Sequence, residues 1–188
     1  CHSCSVAIHG EIVSYKDNSG PFTFHHNLVR DCGRFGAGGV TGGLIMLNGS
    51  GTSIRVYGNV FYRSAGETWA YGGDGFIGPW TDRPTYNYGD VGIYNNTFIN
   101  IPLDAIGSAY NVGGSSRYVK NNYFYSSDTG LPNGNYTDAN YNHFQNSGGE
   151  SEANGTSAES GSQFVTLTES SADFAKLVAD TAAADTGV

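Results

Sequence analysis

One six-residue template recurs five times in this chain, and no other feature restricts the fold as much. Aligned on an asparagine, the segments are FTFHHNLVRDCG, IRVYGNVFYRSAG, VGIYNNTFINIP, RYVKNNYFYSSDTG and DANYNHFQNSG. Three positions before that Asn (Asn27, Asn59, Asn96, Asn122, Asn142) stands a small or apolar residue: Phe24, Val56, Ile93, Val119 or Ala139. Two positions after it stands Val29, Phe61, Phe98, Phe124 or Phe144. The Asn-to-Asn spacings are 32, 37, 26 and 20. They are too uneven for a rigid motif array but natural for coils that carry loops of different length.

A second strand-like signal falls between templates: LIML at 44–47, GFIG at 75–78 and DAIGSAY at 104–110, with VAIHG at 6–10 ahead of the first. Each turn of the chain then holds a strand, a glycine-rich corner, a second strand, an Asn corner and a third strand. That is the anatomy of a parallel β-solenoid. A coil of about 20–25 residues must turn sharply between strands, and one corner residue must adopt a left-handed backbone, which Asn tolerates far better than β-branched residues do. Stacked at the strand spacing of about 4.8 Å, corner amides can also hydrogen-bond to one another as a ladder. Asn96 is therefore expected to turn the chain, with its apolar neighbours pointing inward.

Composition narrows the partners. Nine Lys plus Arg against a net charge of -8 disfavour nucleic acid and anionic membrane surfaces. No run of about 18 apolar residues exists to span a bilayer. The chain opens at CHSCSVAIHG without an initiating Met and closes at ADTGV, which reads as a mature or excised piece. Cys1, Cys4 and Cys32 leave one thiol over after a single pairing. They read as a disulfide or buried thiols, because a zinc site needs about four ligands and His9, His25 and His26 lack ligand spacing. No cofactor or metal is expected; calcium is compatible with so acidic a chain, although no dense run of oxygen ligands marks a site. Sequons at Asn48, Asn95, Asn135 and Asn154 are about as many as chance supplies.

The repeats resemble those of the pectate-lyase-like superfamily, whose right-handed parallel β-helices belong mostly to secreted or virion-attached proteins that cut, epimerise or bind polysaccharides. TDANYNHF at 137–144 is similar to a last full coil of that family. SQFVTLTESSADFAKLVADTAAADTGV at 162–188 is similar to its closing segment, through Phe164, Val165, Asp173, Phe174, Leu177, Ala183, Asp185 and Gly187. The resemblance implies an all-β, right-handed parallel β-helix of about five coils, ending in a loop or short helix. Residues 1–146 would form the coils, 147–163 an acidic flexible loop and 164–188 a closing segment of the same domain. Within that segment, an alternative to a loop is a short amphipathic helix over 171–184, capped by Ser170 or Ser171 and laid across the open end, where it would shield strand edges. No catalytic motif of the family transfers, because the lyase Arg/Lys constellation and an epimerase-like DPH segment are both missing from the sequence.

Candidate chemistry gathers in the longest interruption, GETWAYGGDGFIGPWTDRPTYNYGD at 66–90, which holds both tryptophans. Trp69, Tyr71, Trp80 and Tyr86 are candidate sugar-stacking residues, with Asp90 and His25 as further substrate contacts. Asp74 and Asp82 are candidate acids for glycosidic hydrolysis, and Arg83 could neutralise a uronate carboxylate during lyase chemistry. The competing reading makes this insertion a self-packed aromatic flap. His25, His26, Arg30, Asp31 and Arg34 form a second cluster on the first template, with His25 facing outward.

Two functions follow. The first is an extracellular β-helix that binds, and in a lyase or hydrolase form cleaves, a polysaccharide. The second is a non-catalytic structural or adhesive β-solenoid, such as a phage tailspike or fibre segment or a surface filament subunit. Either places the chain outside the cell or on a virion or cell surface, with a glycan as partner and a homo-oligomer compatible.

Overall fold

The structure, a computed structural model, describes residues 12–16, 20–31, 45–48, 53–64, 77–78, 90–101, 105–106, 116–127, 129–131, 136–149, 152, 154–157, 163–168 and 170–178. Among these the protein is all-β, and every pairing between strands is parallel, the isolated Phe164–Leu177 bridge alone being antiparallel among the described residues.

Successive strands visit the sheets in rotation. Strands β1 (Val13–Lys16), β4 (Ile45–Asn48) and β7 (Ile77–Gly78) form one sheet, which Ile106 continues by a bridge to Ile77. A five-stranded sheet holds β2 (Phe22–His25), β5 (Ser53–Tyr57), β8 (Asp90–Tyr94), β10 (Arg117–Lys120) and β13 (Asp138–Asn140). A six-stranded sheet holds β3 (Leu28–Arg30), β6 (Val60–Tyr62), β9 (Thr97–Ile99), β11 (Tyr123–Tyr125), β14 (His143–Gln145) and β16 (Thr156–Ser157). Strands β12 (Thr129–Leu131) and β15 (Gly148–Gly149) pair separately. The strand aligned with β4 is thus β1, whereas VAIHG at 6–10 lies outside the described residues.

The template positions fall in register as the sequence predicts. Phe24, Val56, Ile93, Val119 and Ala139 are successive partners in the five-stranded sheet. Val29, Phe61, Phe98, Phe124 and Phe144 are successive partners in the six-stranded sheet. Both columns face one core, because alternate residues of a strand share a face. From Phe61 to Phe144 the rings stack at 5.0 Å between centroids. Arg117 departs from its column: it follows Phe22, Ile54 and Val91 in register and is buried there.

The Asn corner divides its work between two residues. The left-handed residue is the one before each template Asn: His26, Gly58, Asn95, Asn121 and Tyr141, with φ between 54° and 63°. Asn96 therefore does not take the left-handed turn expected of it; Asn95 does. The N–H of His26, Gly58, Asn95 and Asn121 reaches the next strand, as when Asn95 donates to the Lys120 carbonyl at 3.1 Å, whereas Tyr141 N donates to Asn140 Oδ1. This leaves the template Asn side chains free to form the ladder. Asn59 Nδ2 donates to Asn96 Oδ1 at 3.0 Å, Asn96 Nδ2 to Asn122 Oδ1 at 3.1 Å, and Asn122 Nδ2 to Asn142 Oδ1 at 3.0 Å. Backbone N–H groups of Asn59, Asn96 and Asn122 donate to the same oxygens, and Asn27 N and Nδ2 both donate to Asn59 Oδ1 at 3.0 Å. Left-handed residues also turn the chain after β3, β9, β11 and β14, at Asp31, Asn100, Ser126 and Asn146, whereas Arg63 after β6 does not share the conformation.

This ladder has a direction, so its last member presents donors that an acceptor must meet. Glu152 meets them: Asn142 N donates to Oε1 at 3.2 Å and Asn142 Nδ2 to Oε2 at 3.0 Å. A carboxylate suits the role because both oxygens only accept. The described residues of 147–163 include β15, β16 and the ladder's terminal acceptor. Replacing Glu152 with Gln turns one acceptor into a donor facing Asn142. It is expected to cost about 1–2 kcal/mol in urea denaturation.

The C-terminal segment departs from the alternative helical reading. Described through Val178, it contains no helix among the described residues of 171–184; residues 179–184 lie outside them. Isolated turn bonds run from Ser171 N to Thr168 O and from Phe174 N to Ser171 O, and Ala175 is left-handed at φ 56°. Bridges join Phe164 to Leu177 and Thr166 to Phe174. The segment lies on the outer face of the six-stranded sheet: Phe164 stacks on Tyr123 at 5.1 Å, and Phe174 meets Tyr62 edge-on at 4.8 Å. Together with Leu167 and Leu177 they form a second apolar cluster over Ile99. A flat sheet face carrying Tyr62, Ile99 and Tyr123 offers more apolar contact to an extended segment than an isolated short helix could supply by itself. Ala183, Asp185 and Gly187 lie outside the described residues.

Candidate functional site

With one sheet face covered, the outer face of the five-stranded sheet is where solvent meets an ordered side-chain array. Strand alternation that turns Phe22 and Phe24 inward turns Thr23 and His25 outward. Register extends them into two outward rows. One is Thr23, Arg55, Gly92, Tyr118 and Asp138; the other is His25, Tyr57, Tyr94, Lys120 and Asn140.

The second row begins as an aromatic stack. His25 lies parallel to Tyr57 at 4.9 Å, and Tyr57 parallel to Tyr94 at 5.1 Å. His26 meets Tyr57 edge-on at 5.5 Å. Glycines make room for these rings. A Cβ on Gly92 would come within 3.0 Å of Tyr94 Cε1 and 3.1 Å of Arg55 Cδ; one on Gly58 would sit 2.7 Å from His26 Cδ2. Farther along the row Lys120 pairs with Asp138, and its ammonium lies 6.0 Å from the Tyr118 ring centre. At the other end of β8, the Asp90 carbonyl accepts from Arg55 Nη1 at 2.8 Å.

The sequence candidates are distributed unevenly over this geometry. His25 is exposed in the stack, and Asp90 is exposed at the start of β8. Both belong to the outer face, but they stand two strands apart and four residues apart along the strand, about 10 Å by about 13 Å. They do not converge on one sugar. Asp74, Asp82, Arg83, Trp69, Tyr71, Trp80 and Tyr86 lie outside the described residues. In the second cluster, Asp31 accepts from Ser64 N and Ser64 Oγ at 2.7 Å each, a structural tie between neighbouring strand ends.

Sequence reasoning passed over Tyr57, Tyr94, Tyr118 and Lys120. The signal was present: Tyr57, Tyr94 and Lys120 occupy one of the template's two variable positions, between the apolar residue and the Asn. Reading that position as a column would have shown His, Tyr, Tyr, Lys, Asn lined up outside.

Such an array offers phenol hydroxyls, imidazole nitrogens and an ammonium in a row, suited to hydrogen-bonding and ring contact with a polyhydroxylated ligand. The small space between Val91, Ile106, Val119 and Tyr136 has room for no more than about one water molecule, so it is a packing gap. No group of three or more His, Cys, Asp or Glu converges on a metal position among the described residues. The chain matches no protein-family model, no curated protein and no solved structure.

Proposed function

We propose that this protein is a right-handed parallel β-helix of about five coils, of the pectate-lyase-like kind, that binds a polysaccharide along its side, outside the cell or on a virion or cell surface. The observation that carries the reading is the outward row His25, Tyr57, Tyr94 and Lys120, held in register strand by strand. A ligand that repeats along its own length, as a polysaccharide does, matches a row that repeats at about 4.8 Å. The acidic chain disfavours anionic nucleic acid and membrane partners, and a homo-oligomer of such coils would lengthen the row. Cleavage of the bound chain, by hydrolysis or elimination, would rest on Asp74, Asp82 and Arg83, with Trp69, Tyr71, Trp80 and Tyr86 as sugar contacts.

The alternative is a non-catalytic structural or adhesive solenoid. What favours it is the continuity of the Asn and Phe stacks, which suits a stiff rod.

A glycan array followed by reducing-end and unsaturated-uronate assays separates these readings. Retention of a polysaccharide is expected, weakened about three- to ten-fold by Tyr57→Ala, Tyr94→Ala or Trp80→Ala with the fold unchanged by circular dichroism. No glycan retained, or retention indifferent to all three substitutions, would favour the rod.

A further inference from the structure

The first Asn corner differs from the others in bearing two adjacent imidazoles on one side of the chain. Neighbouring side chains of a regular strand point to opposite faces. Here His26 is left-handed at φ 54°, and this turn brings its ring back beside His25. Their Nδ1 atoms lie 2.9 Å apart and their ring centroids 4.8 Å apart, with planes at 79°.

We propose that His25 and His26 form a two-nitrogen chelating site for a late first-row divalent cation of the Ni2+ or Cu2+ type. The geometry carries the inference. Two imidazole nitrogens bound at right angles, about 2.0–2.1 Å from a metal, stand about 2.9 Å apart with ring centres about 4.5 Å apart. A tetrahedral ion would spread them to about 3.4 Å. A straight hydrogen bond between the same nitrogens would hold the ring centres about 5.2 Å apart. The 2.9 Å between the nitrogens is common to a right-angled pair and to a hydrogen bond, and the 4.8 Å between ring centres falls between the two. A small ring rotation therefore converts the pair to the arrangement of square-planar and octahedral ions, whereas a tetrahedral ion would force the nitrogens apart.

The pair is also braced. His25 is stacked on Tyr57, itself stacked on Tyr94, while His26 packs edge-on against Tyr57 and over Gly58, whose missing Cβ leaves the space. Rings held in this way lose little freedom on binding. Both imidazoles are exposed, so an ion can reach them and complete its shell with water. In later repeats the equivalent pairs are Tyr57–Gly58, Tyr94–Asn95, Lys120–Asn121 and Asn140–Tyr141, none of which offers two imidazoles.

The test is a titration of the full, 15N-labelled chain with Ni2+, which thiols do not reduce, followed by residue-resolved NMR. Substoichiometric Ni2+ is expected to broaden the amide signals of His25, His26, Tyr57 and Gly58. Affinity at those signals should fall at least about tenfold in both His25→Tyr and His26→Asn. These variants install residues that later repeats already carry at the same positions, so the corner is preserved. Broadening confined to other regions, such as the Cys1 end, or wild-type affinity in either variant would overturn the site.

Discussion

Replacing Phe98 with Ala should lower the unfolding free energy by about 3–5 kcal/mol. Phe98 is fully buried and has a ring on each side, Phe61 at 5.0 Å and Phe124 at 5.0 Å. Removing it opens a void whose two largest walls are aromatic faces fixed by strand register. The cavity cannot close unless β6 and β11 leave their pairing with β9. Phe144, at the end of the stack and slightly exposed, should cost less when truncated, because one side can relax. Urea denaturation of both variants checks the order; equal or negligible losses would mean that the stack is not what fills the core.

Asn96→Ala should be comparably damaging, at about 2–6 kcal/mol. Its Oδ1 accepts from the backbone and side chain of Asn59 at 3.1 and 3.0 Å, while its Nδ2 donates to the Val56 carbonyl at 2.9 Å and to Asn122. The substitution strips a buried N–H and a buried carbonyl of these partners at once. Its neighbour gives the opposite result. Asn95 is exposed and left-handed, so Asn95→Gly should leave stability unchanged or slightly raised, as Gly58 in the same column shows glycine to be accepted there. Thermal and urea unfolding of Asn96→Ala beside Asn95→Gly distinguishes a hydrogen-bonding asparagine from a turning one.

That contrast also shows how far the sequence could be read. The inward columns were legible because burial repeats the same chemistry at the same offset, from Val29 to Phe144 and from Phe24 to Ala139. The ladder was legible because a side-chain amide both donates and accepts, so one residue type repeated at one offset can bond along a stack. Which asparagine turns the chain was not legible: the left-handed column is His26, Gly58, Asn95, Asn121 and Tyr141, which share a backbone shape and no side-chain chemistry. The outer row was hidden for a related reason, since a solvent-facing column is free to change from His to Tyr to Lys. In the tail, a Ser170 or Ser171 cap and the need to cover the open end suggested a helix over 171–184 as one reading, yet for the described part contact of Phe164, Phe174 and Leu177 with the sheet prevailed. Glu152 sat unnoticed in an acidic, serine-rich stretch because its partner, Asn142, is supplied by the fold.

Side-chain amide NMR tests the stacking of the repeats most directly. If the corners are stacked, the Nδ2 protons of Asn59, Asn96 and Asn122 exchange slowly with solvent. They also show nuclear Overhauser contacts to one another across 37 and 26 residues of sequence. Fast exchange at these amides, with contacts only to sequence neighbours, would contradict it.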